Sequence, residues 1–400
     1  MNEVSPQIFG RKNHIFAALE RSGYTIQDLL PAFPGESEEL VRQRLDDNAL
    51  RYRRTVERFG YLGTRECVSK FFNVVSGRFR RSPRAPVVNA SETGHIHCYG
   101  GSTTAGHNVG DDETYPHYLE EILRTEDSSV RVLNFGAGNH TNLHSSLHLL
   151  DHCLSGRIPK VALMLNGLND MIYINSSSDG ALEFLDTALF LSQHSPGQNT
   201  PIGEISGLMP KLGLGTQNEP TGTELPDGDV TMLASALEEL RHRMCAALAI
   251  RDFCSAQWGV KVLNYWEPTP YLHCTSEQDP LRLLRSNNPA LAHVEKLAEA
   301  TSSAWLGEIF GIDVICNLSD CGQSSLSGQL YVDEFHGSPL MNQQIARVVA
   351  EHLGHLGTVT SLSHQVSGAP KVGGRAARPD RKVRETSRHA PQKPDLYPLW

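Results

Sequence analysis

The chain has 400 residues, of which 39% are hydrophobic and 20% charged. This composition is typical of a folded globular protein and excludes global disorder and a coiled coil. No apolar run reaches the roughly 18 residues that a membrane helix needs, and the first residues lack the apolar core of a signal peptide. The net charge of −9 argues against nucleic acid as a partner. We therefore predict a soluble, cytoplasmic protein with no transmembrane segment.

Residues 1–90 are predicted to form an N-terminal extension that is helical and irregular. A short helix is expected around Lys12–Arg21, and a second helix is expected to begin near Ser37, a residue type favoured as an N-cap. The segment Ser69–Pro83 mixes aromatic, glycine and arginine residues. We expect it to be an extended arm packed on the main domain.

From His95 onward, short apolar segments alternate with amphipathic ones. A long helix is predicted over Thr231–Gln257, because its apolar residues recur at spacings of three and four. Another is predicted over Asn288–Phe310, which starts with Asn-Pro, an N-cap followed by proline, and ends before Gly311. The alternation is typical of a doubly wound parallel sheet, so we predict one α/β domain over residues 91–356. The predicted strands are His95–Tyr99, Val130–Phe135, Val161–Leu165, Val260–Tyr265 and Ile312–Asn317.

Two segments interrupt this pattern. Residues 192–229 are rich in glycine and proline, which predicts an insert that is a lid, a binding loop or disordered. Residues 357–400 are rich in proline, arginine and serine, and we predict a disordered tail. From Lys371 to Trp400 the tail carries eight Lys or Arg residues against three Asp or Glu, so it is basic while the rest of the chain is acidic.

The first stretch with recognisable chemistry is Gly100-Gly101-Ser102-Thr103-Thr104, directly after the first predicted strand. Glycines there allow a sharp turn, and ligands bind at the carboxyl edge of such sheets. The alternative is a plain strand–helix turn capped by Ser and Thr. The G-x-S-x-G elbow of α/β-hydrolases is absent, because Thr104 stands at the position of its second glycine.

Two further stretches end a predicted strand in a polar turn, and a third carries an Asp and a His near the C-terminus. The run from Asn134 to Thr141 is a glycine-rich turn, but Thr141 stands where a dinucleotide fingerprint needs its third glycine. Asn169 follows the third strand. Asp333 and His336 are three residues apart, so on a helical turn they would share a face and the carboxylate could orient the imidazole.

In this order, the four stretches resemble the SGNH (GDSL-like) hydrolase family. That family carries Ser in G-x-S-x-T, Gly in a post-strand turn, Asn in G-x-N-D and D-x-x-H near the C-terminus. The resemblance covers roughly residues 95–355 and implies a flavodoxin-like three-layer sandwich around a five-stranded parallel sheet. The matching runs are Gly100–Thr104, Asn134–Asn139, Gly167-Leu168-Asn169-Asp170 and Asp333-Glu334-Phe335-His336.

The chain departs from the family at two positions. Gly101 replaces the Asp that usually precedes the nucleophile. In the second stretch, a gapless alignment places Asn139 at the position of the family's glycine, with Gly138 one residue earlier. Because the family uses a backbone N–H there, either residue could supply it, and Asn tolerates unusual backbone angles.

The resemblance implies a serine ester hydrolase that needs no cofactor and no metal. Ser102 would be the nucleophile, His336 the general base and Asp333 the residue that orients it. The oxyanion would be bound by the backbone N–H of Ser102, the N–H of Gly138 or Asn139, and the side-chain amide of Asn169. The expected substrate is a small-molecule or sugar ester that loses a small acyl group such as acetyl. An acyltransferase using the same triad, or a catalytically silent binding module, is the alternative.

Two other polar patterns call for an interpretation. His140, His144, His148 and His152 recur every four residues and on a helix would drift by only about 40° per step. Such a pair can bind zinc, but no carboxylate motif accompanies them, so we predict a solvated or packed helix face. The acidic run Asp111-Asp112-Glu113 is predicted to be a solvated loop.

Overall fold

The computed structural model divides the chain into two units, Met1–Ser363 and His364–Trp400, and every described residue lies in the first. The helix predicted around Lys12–Arg21, the insert at 192–229 and the tail at 357–400 fall outside the described residues. These are 24–48, 54–56, 59, 62–64, 66–75, 79–81, 95–174, 230–271, 292–301, 303–310, 315–318, 321, 328–333 and 335–356.

Five parallel strands form the centre of the molecule. They are β5 (Ile96–Gly100), β6 (Val132–Asn134), β7 (Val161–Asn166), β8 (Lys261–Trp266) and β9 (Ile315–Asn317). Their spatial order is β6-β5-β7-β8-β9, the flavodoxin-like arrangement. The predicted five-stranded parallel sheet of an α/β sandwich is confirmed. The strand order reverses at β5, because β6 lies on one side of it and all later strands lie on the other. The carboxyl ends of β5, β6 and β7 therefore form the expected ligand-binding edge.

The N-terminal extension adds two antiparallel strands to one edge of this sheet. They are β3 (Val74–Val75) and β4 (Phe79–Arg80), and Arg80 pairs with Asn134 of β6. The sheet therefore has seven strands, two more than predicted, because strands of two residues carry no alternation that a sequence reveals. The expected arm within Ser69–Pro83 packs on the domain as these strands. A separate antiparallel hairpin is formed by β1 (Arg54–Val56) and β2 (Leu62–Thr64).

The helices begin and end where local chemistry favours it. Helix α1 (Glu38–Asp47) starts after Ser37, whose side chain accepts a hydrogen bond from the Leu40 N–H at 3.3 Å. The other helices are α2 (Ser102–Ala105), α3 (Tyr115–Arg124), α4 (Asn142–Leu154), α5 (Leu168–Ile174), α6 (Val230–Trp258), α7 (Ala292–Ala300), α8 (Ser303–Phe310) and α9 (Pro339–His355), with 3₁₀ turns at Ile26–Ala32 and Asp111–Glu113.

The long helix predicted over Asn288–Phe310 is wrong in one respect, because α7 and α8 are two separate helices. The Thr301 hydroxyl donates to the carbonyls of Leu297 at 2.8 Å and Ala298 at 3.3 Å. A side chain that bonds to the preceding turn in this way competes with continuation of the helix. The other long helix, predicted over Thr231–Gln257, is observed as α6.

Two apolar clusters, one on each face of the sheet, make this a three-layer sandwich. Strand β7 is buried along its whole length, and its successive side chains enter opposite clusters. Leu163 packs with residues of α3 and α9, and Met164 packs with residues of α4 and α6. None of the helices in the described part of the chain is long and apolar enough to span a membrane.

Candidate active site

Ser102 lies at the carboxyl end of β5, as the first residue of the short helix α2. It is 9% exposed. Other groups come close to both glycines that precede it. A Cβ on Gly100 would lie 2.1 Å from the Thr104 hydroxyl oxygen, and one on Gly101 would lie 2.4 Å from the Asn169 amide nitrogen. Gly101 therefore leaves the space into which the Asn169 amide fits.

The turn after β6 lies beside the nucleophile turn. The Ala137 N–H donates to the Gly100 carbonyl at 3.0 Å, and the His140 N–H donates back to Ala137 at 3.2 Å. This closes a tight turn in which Asn139 has a φ of 68°, in the left-handed region, with its side chain exposed. Gly136 is needed for close packing, because a Cβ there would lie 2.2 Å from the Ala105 backbone nitrogen of α2. Asn139 thus takes the backbone conformation that favours glycine.

Asn169 is held between these two turns. Its amide nitrogen donates to the His140 carbonyl at 3.0 Å, and the side chain is buried. That bond uses one of the two N–H groups of the amide. The turn before it needs Gly167, which has a φ of 139° and lies against the Trp266 ring. The structure therefore brings the third predicted stretch next to the first and the second.

Asp333 and His336 form a hydrogen-bonded pair. The His336 Nδ1 lies 2.6 Å from the Asp333 Oδ2. The other carboxylate oxygen accepts the backbone N–H groups of Phe335 and His336, each at 2.8 Å. Because a carboxylate only accepts, Nδ1 carries a hydrogen, which leaves the lone pair of the neutral ring on Nε2.

The prediction that this pair lies on a helical turn is wrong. The residues lie in a tight loop closed by an isolated antiparallel bridge between Tyr331 and Gly337, and helix α9 begins only at Pro339. The loop brings the two side chains together because Asp333 binds the backbone of its own loop. Burial acts to raise the pKa of Asp333, but the imidazole and the N–H donors outweigh it and hold that pKa well below its usual range. Asp333 is therefore ionised.

The segment that follows the nucleophile connects Ser102 to this pair. The His107 N–H donates to the Ser102 carbonyl at 3.0 Å, and the His107 ring lies 5.1 Å from the His336 ring, centroid to centroid. The next residue, Asn108, donates its amide to the Asp333 Oδ2 at 2.6 Å. All four predicted stretches thus meet at one edge of the sheet, around residues 101–108.

Sequence analysis assigned no role to two buried carboxyl groups behind the site: Asp170, which lies in the third matching stretch, and Glu267, which lies outside all four. Glu267 accepts the Leu168 N–H at 2.7 Å, and burial raises its pKa to about 7. Asp170 accepts the backbone N–H of Asn142 at 3.1 Å, and burial raises its pKa to about 6. A signal for Glu267 exists in the sequence, because a carboxylate directly after the fourth parallel strand must lie at the same sheet edge.

The histidine row is a packed face, one of the two outcomes predicted. His148 and His152 pack against Phe135, and the Tyr99 hydroxyl lies 2.8 Å from the His152 Nδ1. Burial lowers the pKa of His152 well below its usual value, so the ring is neutral. Across the described ranges, no group of three or more His, Cys, Asp or Glu side chains is arranged to hold a metal ion.

The prediction of a solvated acidic loop is wrong. Asp111 is buried, and its carboxylate pairs with Arg80 of the N-terminal extension at 2.8 Å. Glu113 forms an ion pair with Arg44 of α1, and only Asp112 is exposed. The run is covered because the extension returns to the sheet, a contact between residues more than thirty positions apart.

No protein-family model matches the sequence, and no curated protein matches it. Solved structures similar to this chain include an acetyl xylan esterase, 14% identical, with a TM-score of 0.35 over 65% of this chain and 99% of that one. A carbohydrate acetylesterase from Sinorhizobium meliloti is 14% identical, with a TM-score of 0.34 over 66% and 99%. A member of the lipolytic G-D-S-L family from Veillonella parvula is 12% identical, with a TM-score of 0.31 over 67% and 99%.

Proposed function

We propose that this chain is a serine ester hydrolase of the SGNH type that forms an acyl-enzyme on Ser102. The observation that carries the proposal is the Asp333–His336 pair, with its 2.6 Å hydrogen bond, at the sheet edge that holds the nucleophile turn. An ionised carboxylate on Nδ1 favours protonation of the ring during reaction, which is what a general base requires.

The roles of the three residues follow from this arrangement. His336 takes the hydroxyl proton of Ser102 on Nε2 as the serine oxygen attacks the ester carbonyl. The tetrahedral intermediate then expels the alcohol, which receives that proton from His336. Water then attacks the acyl-enzyme while the same imidazole takes one of its protons. The acid leaves, and His336 returns that proton to the Ser102 oxygen. Asp333 stays ionised throughout and stabilises the imidazolium.

Three donors would bind the oxyanion: the backbone N–H of Ser102, the backbone N–H of Asn139 and the amide of Asn169. We assign the second donor to Asn139 rather than Gly138, because its left-handed φ of 68° suits the position at which the family carries glycine. The Asn169 amide is supported by its place beside Gly101. Donors fixed in this way stabilise the charge that develops in the transition state.

The proposed substrate is an ester of a small acyl group, such as acetyl, with an alcohol or sugar, as the resemblance to SGNH hydrolases suggests. No metal or organic cofactor takes part in the proposed steps, and we propose a cytoplasmic enzyme that acts without nucleic acid. An acyltransferase would use the same acyl-enzyme but pass the acyl group to an added alcohol.

The test is a series of p-nitrophenyl esters of rising acyl length, assayed with the wild type and with Ser102→Ala. We expect turnover that is highest for the shortest acyl groups and is abolished by Ser102→Ala. Ser155→Ala is the matched control, because this exposed serine lies beyond the far end of α4, where the chain enters β7. Retention of more than about a tenth of the rate by Ser102→Ala would overturn the assignment. An acylated product formed with an added alcohol acceptor, in place of free acid, would identify a transferase.

A further inference from the structure

Asn108 lies in the loop after the nucleophile helix, and its side chain is fully buried. Its amide nitrogen lies 2.6 Å from the Asp333 Oδ2 and 3.5 Å from the His336 Nδ1. Its φ is 70°, in the left-handed region that residues other than glycine seldom adopt. A buried asparagine in such a conformation, aimed at a catalytic carboxylate 225 residues later, requires an explanation.

We propose that Asn108 is a positioning residue for the Asp333–His336 pair and acts on His336 through Asp333. The inference rests on the proposed function, since it assumes that the pair serves Ser102. It assigns a role to a residue outside the four stretches that resemble the SGNH family.

The hydrogen bonds of the carboxylate support this role. The Asp333 Oδ1 accepts two backbone N–H groups of its own loop, so that oxygen is fixed locally. The Oδ2 accepts His336 Nδ1 and the Asn108 amide. Asn108 therefore supplies the donor that ties the Oδ2 to the nucleophile loop rather than to its own loop, and it fixes the plane of the carboxylate relative to Ser102.

The N-terminal extension holds Asn108 in its unusual conformation. The Arg80 guanidinium donates to the carbonyls of Ala105 at 2.5 Å, Gly106, and Val109 at 2.6 Å, and it pairs with Asp111 at 2.8 Å. These acceptors lie on both sides of Asn108 in the chain. Strained backbone conformations persist only where the surroundings determine them, and Arg80 does this here.

The role predicts an effect on the pH profile. Among the described residues, the titratable group that faces the Asp333–His336 pair from the nucleophile loop is His107, whose ring lies 5.1 Å from the His336 ring. Without the Asn108 amide, the Asp333 carboxylate keeps more of its negative charge for the imidazole, which favours the protonated ring. The acid side of the kcat/KM profile should then move to higher pH.

The decisive variant is Asn108→Gly, because glycine adopts the left-handed conformation without strain and lacks only the amide. We expect kcat to fall about 10- to 100-fold through misplacement of the base, with KM changed less than about threefold. The acid-side midpoint should rise, and the melting temperature should stay close to that of the wild type. Asn317→Ala is the matched control, since it removes an asparagine hydrogen bond, to Ser303, on the edge strand β9.

A second variant keeps the test decisive if Asn108→Gly does not fold. Asn108→Asp keeps the size and the left-handed tolerance, but it turns a carboxylate toward Asp333 and should lose more activity than glycine does. Wild-type kcat and an unchanged profile in Asn108→Gly, or in Asn108→Asp if only that variant folds, would overturn the positioning role. If the wild type acylates Ser102 and Asn108→Gly has the same kcat and pH profile, only this inference is refuted. A wild type that does not acylate Ser102 refutes the proposed function itself.

Discussion

The loop after the nucleophile helix and the turn after β6 each contain an asparagine in the left-handed conformation. Asn108 has a φ of 70° and Asn139 a φ of 68°, yet their side chains lie in opposite surroundings. The Asn108 side chain is fully buried against Asp333, whereas that of Asn139 is exposed. We propose that the same backbone conformation serves a side-chain amide in the Asn108 loop and a backbone N–H in the Asn139 turn. Substitution by glycine distinguishes the two, because it preserves the backbone and removes the side chain.

Asn169 provides the largest expected effect, since its side chain is proposed to bind the oxyanion directly. Asn169→Ala should lower kcat by about 10²–10³, or about 2.7–4 kcal/mol of transition-state stabilisation, with little change in KM. Asn169→Asp should be at least as damaging, because a carboxylate repels the developing charge. Steady-state kinetics on a p-nitrophenyl ester measure both. A raised KM with kcat spared would make Asn169 a substrate-positioning residue.

At Asn139 the test is which of two substitutions, to glycine or to valine, lowers kcat more. Asn139→Gly should be the least damaging change, because it keeps the N–H and relieves the backbone. Asn139→Val should lose at least about tenfold more in kcat, since a β-branched residue resists a positive φ and would displace the N–H. Kinetics and melting temperatures of the two variants test this order. Equal losses in both would show that the Asn139 side chain matters.

Glu267 gives a smaller effect, on stability rather than turnover. Because burial raises its pKa from 4.5 to about 7 in the folded state, its contribution to stability is fully present below about pH 4.5. That contribution is lost as the pH rises to about 7. Glu267→Gln cannot ionise, so its stability relative to the wild type should increase between pH 5 and pH 8, by on the order of 2 kcal/mol.

Urea unfolding at both pH values measures this difference. Asp170 likewise lowers the free energy of unfolding as the pH rises, whereas the buried His152 raises it as the pH rises to about 6.5. Both residues are present in the wild type and in the variant, so their contributions cancel in the difference. A difference in stability that does not change with pH would show that Glu267 is already ionised in the fold.

The sequence revealed the groups that end strands and missed those that act through long-range contacts. Ser102 and Asn169 each follow a recognisable strand, and parallel strands end at one edge. Their roles came from the resemblance of the four stretches, taken in order, to the SGNH family. The Asp333–His336 spacing suggested the contact, but the loop that makes it is not helical and leaves no periodic pattern.

Asn108 and Arg80 could not be located from local patterns. Arg80 lies in a strand of two residues, and its partner Asp111 is 31 residues later. The acidic run therefore looked solvated, because its charges carry no local sign that an arginine from the extension will be buried against them. Asn108 becomes recognisable only once its φ and its contact with Asp333 are known.

The central claim is that His336 and Asp333 activate Ser102 for acylation, and fluorophosphonate labelling tests it most directly. The reagent phosphonylates an activated serine, and mass spectrometry counts the adducts and locates them by peptide mapping. One adduct per chain, on the peptide that contains Ser102, absent in Ser102→Ala and formed far more slowly in His336→Ala, is the predicted result. A folded wild-type protein that takes up no label, or that carries it on another residue, would contradict the claim.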